Sequence, residues 1–125
     1  MQETDTTKPL TDMAFSSLGL DGRLLAGLDK AGFTHATPIQ SLTLPISLKG
    51  QDVAGQAQTG TGKTAAFALP LLSRLDLKKR HPQILVLTPT RELALQVSEA
   101  IRTYARHLSG FQVLPVYGGQ SMSQQ

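Results

Sequence analysis

Residues Ala57-Gln58-Thr59-Gly60-Thr61-Gly62-Lys63-Thr64 constrain this chain more than any other stretch of its 125 residues. They fit Ala-x-x-x-x-Gly-Lys-Thr, one step from the phosphate-loop pattern Gly-x-x-x-x-Gly-Lys-[Ser/Thr]. Gly60 and Gly62 allow backbone turns that a Cβ resists, and their bareness lets a phosphate come close. Successive N–H groups then form an anion-binding nest, and the helix that begins here adds its partial positive charge. Lys63 can reach the β- and γ-phosphates of a nucleotide, and the Thr64 hydroxyl is placed to ligate Mg²⁺. Such a loop works between a strand and a helix, so it calls for an α/β fold. A glycine-rich turn with an incidental lysine is the bland alternative, and the flanking pattern disfavours it. Ala57 departs from the general pattern at a strand end, where a small residue is tolerated.

The flanks alternate as the loop requires. Asp52 to Ala57 is a short, mostly apolar run that predicts a strand, and Thr64 to Leu75 predicts a helix kinked at Pro70. Gln83-Ile84-Leu85-Val86-Leu87 is an aliphatic run of the kind buried on both faces of a parallel sheet. Arg91 to Leu108 carries apolar residues at 93, 97, 101, 104 and 108, an amphipathic helix. Gln112 to Tyr117 predicts a third strand, broken by Gly118-Gly119. This order implies a partial parallel sheet flanked by helices, with right-handed crossovers. Loops 58–62, 88–92 and 117–120 would then share the carboxyl edge, where α/β folds bind ligands. Three strands also leave unpaired edges, which predicts dimers or strand exchange through the exposed edge.

Upstream, residues 1–12 read as a flexible tail. Leu20, Leu24, Leu25 and Leu28 recur at helical spacing, and Gly32 follows as a stop. Thr37-Pro38 reads as an N-cap with proline at the first helical position. The helix it starts should reach Leu44, with Pro45 interrupting it and Gly50 ending the segment. The expected organisation is a tail over 1–12, a helical region over 13–50 and one α/β unit over 51–125.

Composition narrows the class without choosing a function. Hydrophobic residues make up 40% and charged residues 17%, as in a soluble single domain, and with no Trp the core should be aliphatic. A net charge of +3 permits nucleic-acid binding without demanding it. The absence of cysteine excludes disulfides and thiolate metal sites and favours a cytoplasmic location. No stretch approaches the roughly 18 apolar residues that span a bilayer, so no membrane partner is expected. His35, His81 and His107 show no metal-ligand spacing with any carboxylate. Lys78-Lys79-Arg80-His81 precedes a strand, which puts it on the opposite edge of the sheet, and it reads as a solvated loop.

A phosphate loop alone does not choose between kinases, transporters, GTPases and helicases. Gly32-Phe33-Thr34-His35-Ala36-Thr37-Pro38-Ile39-Gln40, with Phe15 seventeen residues before Gly32, resembles the Q motif of DEAD-box RNA helicases. Pro89-Thr90-Arg91-Glu92-Leu93-Ala94 resembles motif Ia of that family, and Gly118-Gly119 its GG motif. The wording around Pro82 to Leu87 and Tyr117 to Gln120 looks most like the bacterial cold-shock type. A kinase or transporter ATPase would leave the Phe15/Gln40 spacing and the Pro-Thr-Arg-Glu segment unexplained.

The resemblance implies a RecA-like P-loop domain belonging to an ATP-dependent RNA helicase, with ATP and Mg²⁺ as cofactors and RNA as partner. It implies that Gln40 reads adenine, since a carboxamide offers the donor–acceptor pair matching N6 and N7. Phe15 would stack on the base, and Phe33, His35 and Pro38 would complete the nucleotide site beside Gln58, Thr59, Gly60, Thr61, Gly62, Lys63 and Thr64. Lys63 and Thr64 would serve catalysis, Thr64 as the metal ligand. Pro89, Thr90, Arg91, Glu92, Gly118, Gly119 and Gln120 would hold RNA. The bland alternatives are a capping glutamine, a core phenylalanine and an ordinary helix start at Thr90-Arg91-Glu92. Hydrolysis also needs an acid at the end of a neighbouring strand. None of the nine carboxylates ends an aliphatic run in that way, and the Asp-Glu-Ala-Asp and Ser-Ala-Thr signatures are absent. The chain is therefore expected to be a fragment truncated before the Walker B motif, gripping nucleotide without appreciable hydrolysis.

Overall fold

Four leucines, Leu24, Leu28, Leu44 and Leu69, are the largest fully buried side chains, and each belongs to one of three helices. The computed structural model describes residues 10–56 and 63–119. Within them a 3₁₀ turn, Phe15–Leu18, precedes α1 (Gly22–Lys30), α2 (Pro38–Ser47), α3 (Lys63–Ser73) and α4 (Arg91–Tyr104). Helix α3 packs against both α2 and α4, and α1 closes on α4.

Local chemistry explains where the helices start and stop. Asp21 caps α1 by accepting from the Arg23 N–H at 2.8 Å, and the Arg23 guanidinium beside it holds its carboxyl at about 2. Gly32 ends the segment at φ +85°, a left-handed conformation that a side chain resists, while Phe33 N–H donates to Leu28 O at 2.9 Å. Helix α2 opens as expected on Thr37-Pro38, but it runs through Pro45 to Ser47. Proline removes one helical hydrogen bond. Complete burial of Leu44 in the core holds the turn helical, and Thr43 and Ser47 bond back to Ile39 O (2.8 Å) and Thr43 O (3.0 Å) along it. Helix α3 likewise continues past Pro70, which is itself buried. Helix α4 stops at Tyr104, short of Leu108, yet Leu108 still reaches the core through the turn that follows.

Two expectations need correction. The tail does not extend to residue 12, because Thr11 is pinned: its N–H and hydroxyl both donate to Ala36 O, at 2.9 and 2.8 Å. Met13 O accepts from Ala36 N–H (2.8 Å), Phe15 N–H donates to Thr34 O (3.0 Å), and Ala14 pairs with His35 as an isolated antiparallel bridge. The second concerns the aliphatic run. Among the described residues no strand ladder forms over 52–56, 83–87 or 112–117. Exposure still alternates along the run as extended chain requires: Val86 packs against the core while Leu85 and Leu87 are 82% and 85% exposed. Phe111 and Val113 pack inward while Leu114 and Val116 face out. One face is covered by the helices and the other is open, so burial on both faces is not realised here.

The tightest helix contact is at Gly27. A Cβ there would lie 2.9 Å from the Tyr104 carbonyl carbon and closer still to its oxygen, against backbone that cannot rotate away. Alanine raises helix propensity by up to about 1 kcal/mol, but overpacking costs roughly 1–3 kcal/mol. Gly27→Ala should therefore lower stability in a urea titration. A gain in stability would mean that α1 and α4 are not in contact.

Candidate functional site

The segment 11–15 clamps the loop before α2, and together with α1 the two line a cleft of about 320 Å³. Phe15, Phe33 and His35 line it, with Leu25, Leu28 and Asp29 from α1. Three of the five expected base-binding residues upstream of the phosphate loop are thus brought together. Phe15 is only 2% exposed and belongs to the core, so it forms the floor of the cleft. Phe33 is 41% exposed, and its ring centre lies 5.9 Å from that of Tyr104, tilted by 50°. Burial of Tyr104 raises its phenol above the usual range. His35 Nδ1 lies 3.1 Å from the Thr34 hydroxyl.

Pro38 and Gln40 do not line this cleft. Gln40 is buried, and its Oε1 accepts from the Thr37 N–H at 2.9 Å, one arm of a capping box at the start of α2. The capping alternative is realised. The approach to the phosphate loop rests on the same helix: a Cβ on Gly55 would come within 3.2 Å of Ile39 Cδ1 and 3.3 Å of Thr43 Cγ2. Lys63 is the exposed first residue of α3, and Thr64 beside it is half-buried. Ala57, Gln58, Thr59, Gly60, Thr61 and Gly62, with Gln120, lie outside the described residues.

Helix α4, which also packs against α3, starts with Thr90 as its N-cap, the hydroxyl accepting from Leu93 N–H at 3.1 Å. Arg91 Nη2 donates to Gly118 O at 3.1 Å. Its guanidinium carbon also sits 5.1 Å from the centre of the Tyr117 ring, within cation–π range. Gly119, at φ +88°, approaches the same guanidinium: a Cβ there would lie 3.6 Å from Arg91 Nη2. Two segments 27 residues apart, expected separately to hold RNA, therefore meet at one arginine. Pro89, Thr90, Arg91 and Glu92 are all exposed. Sequence reasoning missed Tyr117; an aromatic next to the glycine pair, in a chain with few aromatics, was the available signal.

The basic run is exposed, as a solvated loop should be. Its base is stapled by Gln83, whose carboxamide accepts from Asp76 N–H (2.9 Å) and donates to Asp76 O (2.8 Å). No cluster of histidine and carboxylate side chains that could hold a metal occurs among the described residues.

Known proteins extend this geometry. Residues 37–125 match the family model described as DEAD/DEAH box helicase. The chain is 54% identical over 110 residues to the ATP-dependent RNA helicase DeaD of Buchnera aphidicola subsp. Baizongia pistaciae, covering 88% of this chain and 18% of that protein. Among solved structures it is similar to the RNA helicase Prp28 from Chaetomium thermophilum bound to ADP, at TM-score 0.79 and 39% identity, covering 98% of this chain and 31% of that one. It is also similar to S. cerevisiae Dbp5 bound to RNA and ADP BeF3, at TM-score 0.67 and 36% identity, covering 75% of this chain and 25% of that one. The chain spans about a fifth of the length of the curated relatives it matches.

The cap generates a prediction. Gln40→Ala removes the acceptor for the Thr37 N–H and should cost about 1 kcal/mol, read as a lower urea midpoint. An unchanged midpoint would mean that the box contributes nothing to α2. With α3 packed against both α2 and α4 and the match over residues 37–125, this chain belongs to the DEAD/DEAH box helicase family.

Proposed function

We propose that the chain is the N-terminal part of an ATP-dependent RNA helicase, comprising the first portion of its RecA-like domain. The observation that carries the reading is the position of α3. This helix begins with Lys63-Thr64 and packs against α2, which holds Gln40, and against α4, which begins with Arg91. A nucleotide grip and an RNA grip would then share one short helix as their common support.

In this reading the base enters the cleft floored by Phe15 and edged by Phe33 and His35. Stacking on an aromatic contributes on the order of 1–3 kcal/mol where it resembles other base–aromatic contacts. Pro38 and Gln40 set the loop from outside that cleft. For Gln40 to read adenine through its carboxamide edge, the base must reach past the cleft to the start of α2, where the Thr37 N–H holds the Gln40 Oε1. Lys63 meets the β- and γ-phosphates and the loop 58–62 cradles them. Thr64 supplies one hydroxyl towards Mg²⁺. The fit is reasonable because Mg²⁺ keeps several waters and takes its other ligands from substrate phosphates. The metal, when bound, neutralises charge on the β- and γ-phosphates.

RNA phosphates would be held by Arg91, the backbone about Pro89-Thr90 and the Gly118-Gly119 turn, with Glu92 and Gln120 at its margin. The name of Dbp5 bound to RNA and ADP BeF3 supports pairing both ligands on this fold. The parallel sheet of the RecA-like domain would comprise segments 52–57, 83–87 and 112–117. The alternating exposure of 83–87 and 112–117 supports this, while residues 52–56 are exposed throughout; the open row Leu85, Leu87, Leu114 and Val116 is the face that further structure would cover. Until it is covered, this face favours dimers or strand exchange. Among the described residues no helix is long and apolar enough to cross a membrane, in keeping with a proposed cytoplasmic site of action.

Three measurements test the reading. Purified 125-residue chain should bind ADP weakly and hydrolyse ATP at background rate; robust RNA-stimulated turnover would contradict the proposed division of labour. Gln40→Ala should weaken ADP binding far more than phosphate binding, and equal losses would make Gln40 a cap alone. Sedimentation should show concentration-dependent association, whereas a monomer at every concentration would remove the edge proposal.

A further inference from the structure

Arg91 is an exposed residue at the first position of α4. A side chain there samples many rotamers, and fixing it for a ligand costs entropy unless something already holds it. Two groups do. Gly118 O takes one N–H at 3.1 Å, and the Tyr117 ring lies 5.1 Å below the guanidinium carbon. A guanidinium carries five N–H donors in a rigid fork, so a single carbonyl leaves others for a phosphate. The carbonyl fixes one edge of the fork but leaves rotation about that bond. A ring face removes that freedom by setting the plane.

We infer that Tyr117 is a positioning residue for RNA binding, its ring holding the Arg91 guanidinium in the plane from which it meets a backbone phosphate. The inference rests on the proposed RNA role of Arg91. It separates the two duties of the turn: Gly118 supplies the hydrogen bond that joins the segments, and Tyr117 sets the angle. Exposed cation–π contacts correspond to roughly a two- to five-fold change in affinity, which is the size of effect expected.

The test is anisotropy of a labelled short oligouridine RNA against the 125-residue chain across a salt series. Arg91→Ala should weaken binding and reduce the salt slope by about 0.7, the share of one single-strand phosphate. Tyr117→Leu should weaken binding two- to five-fold and add nothing further in the Arg91→Ala background. Tyr117→Phe keeps the ring and should bind like the parent, and Tyr117→Trp, with a stronger face, at least as tightly. These two variants also carry the test if the leucine variant does not fold. If Arg91→Ala has no effect, or the parent chain binds no RNA, the RNA reading itself fails. If Arg91→Ala weakens binding but Tyr117→Leu does not, this inference alone fails. It fails equally if Tyr117→Leu costs as much without Arg91, which would mean direct contact with RNA, or if Tyr117→Phe is as weak as Tyr117→Leu.

Discussion

The burial of α3 is the constraint on which the rest depends. Ala65, Ala68, Leu69 and Leu72 are each 5% exposed or less, and the helix packs against both α2 and α4. Two alanines on a buried face leave little side-chain bulk between backbones, so neighbouring helices can approach closely. The residue proposed to meet phosphate, Lys63, is the first of this same helix. Its backbone is therefore anchored by the core one turn away, while its side chain remains exposed.

Each neighbour of α3 then supports one end of the proposed site. On the α2 side the anchoring is polar and local: Thr37 and Gln40 fix the helix start, and the 11–15 segment hydrogen-bonds to the loop before it. These bonds place Phe15 under the cleft and also bury it, so its core and site roles are one placement. On the α4 side the anchoring is longer in range, since Arg91 ties the start of the helix to Gly118. Arg102 repeats the device further along α4 by donating to Val113 O at 3.2 Å. The two arginines hold the 111–118 segment against one helix by side-chain-to-backbone bonds, where a sheet would use a ladder.

Much of this was legible in the sequence, for reasons that can be named. Some caps and stops were readable because they are local chemistry: Gly32, Thr37-Pro38 and Thr90 act on neighbours within a few residues, while the Asp21 cap went unread. Pro45 misled because its cost is local while its compensation is tertiary; burial of Leu44 carries α2 onward, whereas α3 runs through Pro70 as expected. The extended segments were legible as apolar runs, but neither their one-sided exposure nor their pairing was, since both depend on partners distant in the chain. Gln40 had two readings from the start; its capping bond is seen directly, and the adenine reading is a proposal. The Arg91–Gly118 contact lay beyond sequence reasoning, because nothing in a one-dimensional pattern joins residues 27 apart across a turn.

The central claim is that one scaffold presents a nucleotide grip beside α2 and an RNA grip beside α4. Amide NMR of the labelled 125-residue chain, titrated with ADP and separately with a short single-stranded RNA, tests it most directly. The account predicts that ADP shifts amides of residues 33–40 and 63–64, while RNA shifts 90–92 and 117–119. ADP shifts confined to the basic loop at 78–81, or RNA shifts that leave Arg91 and Gly118 unmoved, would contradict it.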